Sequence, residues 1–336
     1  MNSIPEPGPD HCPTDNRNYR HAPGTRVTYR ARQRAVDPTA WLRLALHLPG
    51  LLLSLMLIGG TALVLEAWIG MPAWMPVALW VGCGALVFHR PTEQRIARYL
   101  LRLHQPLPQE MAVLAPVWRE VTARAGVDGS RYQLWIEDGD DINALAAAGH
   151  IVGVTRHALE RLPPAQLAAV LAHELGHHTS GHAWAGLLGQ WYALPARTAW
   201  RALDRLRVRT TRSLSPLAAL GIVAAAGYVT YRALAVTYGL PVLLLTLPWL
   251  TAAVSRRAEL RADAHAAALG FAPMLAALLR QVLAKEKGQS SQSPGLLDRL
   301  LSSHPDHRTR LHHLQPYLDH EGREAPETPQ GGHPVG

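Results

Sequence analysis

Residues 165–182 read AQLAAVLAHELGHHTSGH, and this uninterrupted helical pattern decides how the chain around it is interpreted. Positions i and i+4 of an α-helix lie about 40° apart on one face, so His173 and His177 point in the same direction. Apolar residues that recur with the same period predict a stripe that packs into a core. These residues are Leu167, Leu171 and Leu175.

The His-Glu-x-x-His spacing suits a catalytic metal. Two imidazole nitrogens at this spacing can bind one zinc ion, and Glu174 follows the first histidine, beside the open coordination position. There its carboxylate can take a proton from a zinc-activated water and pass it to a leaving amine. The segment therefore predicts a zinc-dependent hydrolase with His173 and His177 as ligands and Glu174 as the proton shuttle.

A catalytic zinc site usually takes three protein ligands, and the residues alone leave the third one open. His178 points about 100° away from His177 on the helix, and His182 lies beyond Gly181, where the helix would have to break. The other candidate is Glu259, in SRRAELRADAHAAALG, with Asp263 one helical turn later. Asp263 could hold the second ring N–H of a ligating histidine.

The composition favours a membrane protein. The 336 residues are 48% hydrophobic and only 17% charged, with a net charge of +8 and two cysteines. Such a chain is neither disordered as a whole nor built on a disulfide framework. Because the arginines bracket apolar runs, we attribute the positive charge to membrane topology and expect no nucleic-acid partner.

Four apolar runs are long enough to predict transmembrane helices. The arginines that flank them place both ends of each predicted hairpin in the cytoplasm. The predicted fold is mainly α: a multi-pass membrane protein with about four spans and a protease domain that carries a small β-sheet. The four runs are residues 44–65, 67–89, 213–231 and 233–255.

The positions of the apolar runs divide the chain into six predicted segments. They are a disordered basic tail (1–40), a transmembrane hairpin (41–89), the first part of a cytoplasmic protease domain (90–212), a second hairpin (213–255), the second part of the protease domain (256–318) and a disordered tail (319–336). The segment 183–212, rich in tryptophan and arginine, receives no role.

Four segments together resemble the HtpX-like membrane zinc metalloproteases and their relatives, the CAAX prenyl proteases. They are HELGH, SRRAELRAD, INALAAAGHIVGVTRHAL and SSHPDHRTRL. The resemblance implies a gluzincin-type site with one Zn²⁺ per subunit and Glu259 as the third ligand.

The resemblance also implies roles for four further residues. Asn143 and Ala144 would lie on an edge strand, which could bind an extended substrate through main-chain hydrogen bonds. His304 and Arg310 fall in register with the family's late His-Pro-x-x-x-x-Arg motif. We expect them to donate hydrogen bonds to the oxyanion that forms during hydrolysis.

The sequence thus predicts an integral membrane zinc metalloendopeptidase in the cell (inner or plasma) membrane, with its active site facing the cytoplasm. Its partners would be the lipid bilayer and protein or peptide substrates, chiefly misfolded or damaged membrane proteins. A CAAX-type prenyl protease is an alternative, but it would need a prenylated substrate and more spans. A BlaR-type sensor is another, but it would carry a large extracellular domain after the last span. An inactive scaffold is disfavoured because all the expected catalytic residues are present.

Overall fold

The computed structural model describes residues 37–139, 141–147, 149–211, 240–289 and 305–324, together with isolated positions between 218 and 231. This part of the chain is mainly helical and contains one small sheet, as the sequence predicts. The predicted span 213–231 and His304 lie outside the continuously described ranges.

The part of the chain that the structure describes contains twelve α-helices. They are α1 (Pro38–Leu46), α2 (Leu48–Ile69), α3 (Trp74–Cys83), α4 (Arg90–Arg95), α5 (Pro108–Ala125), α6 (Arg156–Arg161), α7 (Pro164–Thr179), α8 (His182–Tyr192), α9 (Leu194–Thr211), α10 (Leu240–Ala266), α11 (Ala272–Gln289) and α12 (His307–Glu324). Helix α1 begins within the predicted N-terminal tail, and α12 extends into the predicted C-terminal one. Short 3₁₀ or π segments occupy Gly84–Phe88, Ile96–Leu100, Gly129–Arg131 and Ala267–Phe271.

Four strands form a mixed sheet in the order β1-β2-β4-β3. They are β1 (Leu103–His104), β2 (Gln133–Glu137), β3 (Ala144–Ala147) and β4 (Ile151–Thr155). Strands β2 and β4 run parallel, whereas β1 and β3 pair antiparallel with their neighbours. Every residue of β4 is buried, and β3 forms an edge of the sheet beside α7 and α8.

Helix α7 runs through the main hydrophobic core. The three leucines of the predicted stripe are all fully buried in this core, which also holds residues of α5, α11, β2 and β4. The helical pattern in the sequence extends to residue 182, but the helix ends at Thr179, because Gly181 adopts a left-handed conformation with φ of 84°. Only glycine takes this conformation without strain, and α8 begins at the next residue in a new direction.

Two helices in the described part of the chain are long and apolar enough to cross a membrane, against the four spans that the sequence predicts. The first is Leu48–Ile69, which matches the predicted run 44–65. The second is the helical stretch Thr246–Lys285, and half of its apolar window is buried in the protein. The predicted run 67–89 is interrupted at Gly70 and holds a shorter apolar helix, Trp74–Leu86.

Candidate active site

Helix α7 presents its two metal-binding candidates on one face, as the four-residue spacing predicts. The imidazole rings of His173 and His177 lie 4.9 Å apart, centre to centre, and are nearly perpendicular. Glu174, between them in the sequence, is also buried, with 7% of its surface exposed. The helix therefore holds two imidazoles and one carboxylate where little water reaches them.

Helix α10 brings Glu259 to the same place. One carboxylate oxygen lies 3.5 Å from Nε2 of His173, and the other lies 3.4 Å from Nε2 of His177. One ligand atom from each of the three residues falls within 4.8 Å of the other two. This is the arrangement expected of three side chains that surround one metal ion.

Gly176 lies where α7 and α10 make close contact. A Cβ atom at this position would lie 3.1 Å from Cα of Ala262 and 3.2 Å from Cβ of His265, both on α10. A larger side chain at this position would require the neighbouring atoms of α10 to shift by a few tenths of an ångström. This glycine stands inside HELGH, one residue before the second histidine, but the local pattern gives no sign of its contact with α10.

Asp263 orients His173 from behind. It accepts a hydrogen bond of 2.8 Å from Nδ1 of His173, so Nε2 is the ring nitrogen that faces Glu259. The Asp263 carboxylate is fully buried, and Arg310 of α12 donates to both of its oxygens, from Nε at 2.7 Å and from Nη2 at 2.6 Å. A carboxylate that fixes the tautomer of a ligating histidine is the usual outer support of a zinc site.

The electrostatic environment favours positive charge at His173. Burial acts to lower the pKa of His173, but its hydrogen bonds to Asp263 and Glu259 outweigh burial and raise the pKa to about 10. Burial would likewise raise the pKa of Asp263, but the hydrogen bonds from Arg310 and His173 lower it. The negative charge that stabilises an imidazolium here would equally stabilise a metal cation in its place.

The other two candidates for the third ligand have their hydrogen bonds elsewhere. His178 donates from Nε2 to the backbone carbonyl of Ile151 and packs against the ring of Tyr132. Nε2 of His182 lies 2.9 Å from the hydroxyl of Thr39. Burial is the main cause that lowers the pKa of each to about 4. Neither histidine joins the group of three, which agrees with the choice of Glu259.

Three further predicted site residues, Asn143, Ala144 and Arg310, lie in the described part of the chain. Asn143 is exposed where the chain enters the edge strand β3, and its backbone is bonded to Thr155 on β4. Ala144 is the first residue of β3, which lies beside α7. Arg310 donates hydrogen bonds to Asp263, which in turn accepts one from His173. The roles in substrate binding and oxyanion stabilisation that we predict for these residues remain predictions.

The comparison with known families decides the affiliation of the chain. Residues 108–318, well over half of the chain, match the model of peptidase family M48. The chain belongs to peptidase family M48. Family membership implies metallopeptidase activity on peptide or protein substrates. A search of curated proteins finds no match to this M48 peptidase.

The residues of this M48 peptidase fit a metal by their chemistry as well as by their spacing. Two imidazole nitrogens and one carboxylate oxygen form the donor set that catalytic zinc takes in His₂Glu sites. A hard cation such as Ca²⁺ or Mg²⁺ would instead require more oxygen ligands. His173, His177 and Glu259 could therefore hold a metal ion, while the hydrogen bond to Asp263 keeps Nε2 of His173 directed toward Glu259.

The contacts of Arg310 lead to a specific expectation. We expect Arg310→Ala to weaken zinc binding by about 10–100-fold, as changes behind a ligating histidine do. We also expect it to lower stability, since breaking a buried ion pair costs about 3–5 kcal/mol. Zinc competition titration and thermal unfolding would measure the two effects, with Arg310→Lys as the variant that keeps the charge but loses the forked geometry.

The opposite pattern would separate the two roles of Arg310. If Arg310→Ala lowers kcat at least tenfold while zinc affinity and stability stay as in the unmodified chain, the guanidinium acts on the oxyanion and not through Asp263.

Proposed function

We propose that this chain is an integral membrane zinc metalloendopeptidase of the HtpX-like type, which cleaves membrane proteins at the cytoplasmic face during their quality control. The observation that carries the proposal is the group of His173, His177 and Glu259, beside the buried Glu174. Casein cleavage by the purified chain tests the activity: a chelator should stop it and added zinc should restore it.

The bound metal and Glu174 would have different roles in hydrolysis. Bound zinc supplies Lewis acidity, which lowers the pKa of a water molecule and polarises the scissile carbonyl. Glu174 accepts the proton that this water loses and returns it to the amine that leaves. Glu174 suits this role by its position, since it is buried and directly follows His173 in the sequence.

The edge strand β3 would position the substrate. Its pairing with β4 uses one side of the strand, and the strand lies beside α7, which carries the metal ligands. An extended peptide that pairs with the other side would present its main chain to the site at Asn143 and Ala144. Such binding uses main-chain hydrogen bonds and depends little on the side chains of the substrate. This suits a protease that removes many different damaged proteins.

Helix α2 supports the membrane location. Only 11% of its most apolar window is buried inside the protein, so a long apolar surface would meet water if no bilayer covered it. Trp68 and Trp74, which flank the turn at Gly70, are 84% and 69% exposed. Tryptophans at this position are typical of the boundary between lipid and water.

The proposed topology predicts the position of reporter fusions. A reporter that is active only outside the cytoplasm should be active when it is fused after Ile69 and inactive when it is fused after His104 or Gly288. The reason is that arginine-rich segments flank the ends of both predicted hairpins, and such flanks favour the cytoplasm. A fusion after Ile69 that behaves like the one after His104 would contradict the predicted hairpin.

A further inference from the structure

Helix α1 packs against α8 and against α10, which carries Glu259, although it falls outside the residues that match the family model. Its N-cap residue, Asp37, donates from its backbone N–H to the carbonyl of Ser180, just after α7. The Asp37 side chain pairs with Arg261, which lies two residues after Glu259 on α10. Helix α1 thus connects the end of α7 with the helix that supplies the third ligand.

The guanidinium of Arg43 lies in a notch on α8 that a glycine creates. A Cβ atom at Gly186 would come within 3.2 Å of Cζ and 3.3 Å of Nη2 of Arg43. One turn further along both helices, His47 packs over Gly189 in the same manner. Because Thr39, one turn before Arg43, bonds to His182 at the start of α8, the two helices are fixed in register.

Arg43 brings an unshared positive charge to this side of the site. Its side chain is partly buried, and no hydrogen bond joins it to another residue in the part of the chain that the structure describes. Burial lowers its pKa while the charge of Glu259 raises it. The helix places Arg43 near the site, because Thr39, one turn earlier, bonds to His182. The ring of His182 lies 6.4 Å from the ring of His177, centre to centre. An arginine nevertheless stays protonated in proteins.

The other charges of the site leave this cation available. Arg310 neutralises Asp263, and Glu259 would be engaged by the metal that it helps to hold. The five N–H donors of Arg43 then lie beside the site without an acceptor among the described residues. A guanidinium in this situation fits a carboxylate, which it can bind with two parallel hydrogen bonds.

We propose that Arg43 is a specificity-determining residue that binds a carboxylate of the peptide substrate beside the metal site. The proposal rests on the proposed peptidase function. The carboxylate could belong to the C-terminus of the substrate or to an aspartate or glutamate side chain near the scissile bond. Both have the same chemistry, and a set of matched peptides distinguishes them.

The test measures peptide binding to the zinc-loaded full-length chain that carries Glu174→Gln, so that no hydrolysis interferes. Three peptides share one sequence: a neutral amidated peptide, the same peptide with a free C-terminal carboxylate, and the amidated peptide with one internal glutamine replaced by glutamate. We expect one of the two carboxylate peptides to bind at least about tenfold more tightly than the neutral one, since hydrogen bonds between charged groups have this strength.

Two further variants in the same background assign the preference. Arg43→Gln should bring the affinity ratio between carboxylate and neutral peptide to about one, and Arg43→Lys should keep part of it, because lysine retains the charge but not the fork. The matched control is Arg201→Gln, at an exposed arginine of α9, which should keep the full ratio.

The proposal is overturned if the ratio is the same with and without Arg43, or if the chain prefers neither carboxylate peptide. It is also overturned if Arg43→Gln loses zinc and binds all three peptides equally poorly, since Arg43 would then only hold the site together. Failure of the proposed function has a separate sign: the zinc-loaded chain with Glu174 intact would cleave none of the peptides.

Discussion

Glu174→Gln should lose peptide hydrolysis by a factor of about 10²–10⁴ and keep its zinc, since general acid–base catalysis contributes a factor of this size. The substitution changes one oxygen to an amide and preserves the shape of the side chain. Glutamine can still accept a hydrogen bond from water, but it has no basic site for the proton. Glu174 is buried beside His173 and is not among the three residues that surround the predicted metal position.

Casein cleavage and zinc content of the same preparations measure this result. Glu160→Gln, at an exposed glutamate of α6, is the matched control and should keep both activity and zinc. A Glu174→Gln variant that loses zinc in proportion to its activity would show that Glu174 is a ligand and not the proton shuttle.

Glu259→Ala should have the largest effect on zinc binding. The substitution removes the only carboxylate among the three grouped ligand candidates and leaves two histidines, which are too few for a catalytic site. We expect its affinity for zinc to fall by more than the 10–100-fold that outer-shell changes produce. Asp263→Asn should stay within that smaller range, because the amide oxygen can still accept the hydrogen bond from His173.

Competition for zinc with a coloured chelator would give both affinities, with Glu160→Ala as the control for a general effect of losing a carboxylate. Equal zinc affinity in the unmodified chain and in Glu259→Ala would reassign the third ligand to His182 or His178. Either residue would then have to give up the hydrogen bond that it makes to Thr39 or to Ile151.

The sequence predicts the parts of the site that local periodicity controls. The spacing of His173 and His177 and the buried leucine stripe both follow from 3.6 residues per turn, so one segment was sufficient to predict them. The edge strand expected at Asn143 and Ala144 corresponds to β3, which begins at Ala144.

Contacts between distant segments could not be derived from periodicity. His173 and Asp263 are 90 residues apart, and Asp263 and Arg310 are 47 residues apart. A carboxylate pair on a helix gives no sign of its tertiary partner, so Glu259 was chosen through the family resemblance. The close contact of Gly176 with Ala262 and His265 of α10 is likewise visible only when both helices are in place.

An apolar run can be either a transmembrane helix or a helix that is buried in the protein, and the sequence alone does not distinguish the two. A run such as 233–255 satisfies the criteria for a transmembrane helix, but half of the apolar window in the overlapping helical stretch Thr246–Lys285 packs inside the protein. Arg43 was counted among the charges that flank the first span, whereas in the fold it also packs into the notch at Gly186. Neither distinction follows from counting residues along the chain.

The number of zinc ions bound per chain tests the metal site most directly. Elemental analysis of the purified, unmodified chain should find one zinc per chain, and Glu259→Ala, prepared and dialysed in the same way, should retain almost none. An unmodified chain that binds no zinc even when zinc is supplied, or a Glu259→Ala variant that keeps one zinc per chain, would contradict the assignment of His173, His177 and Glu259.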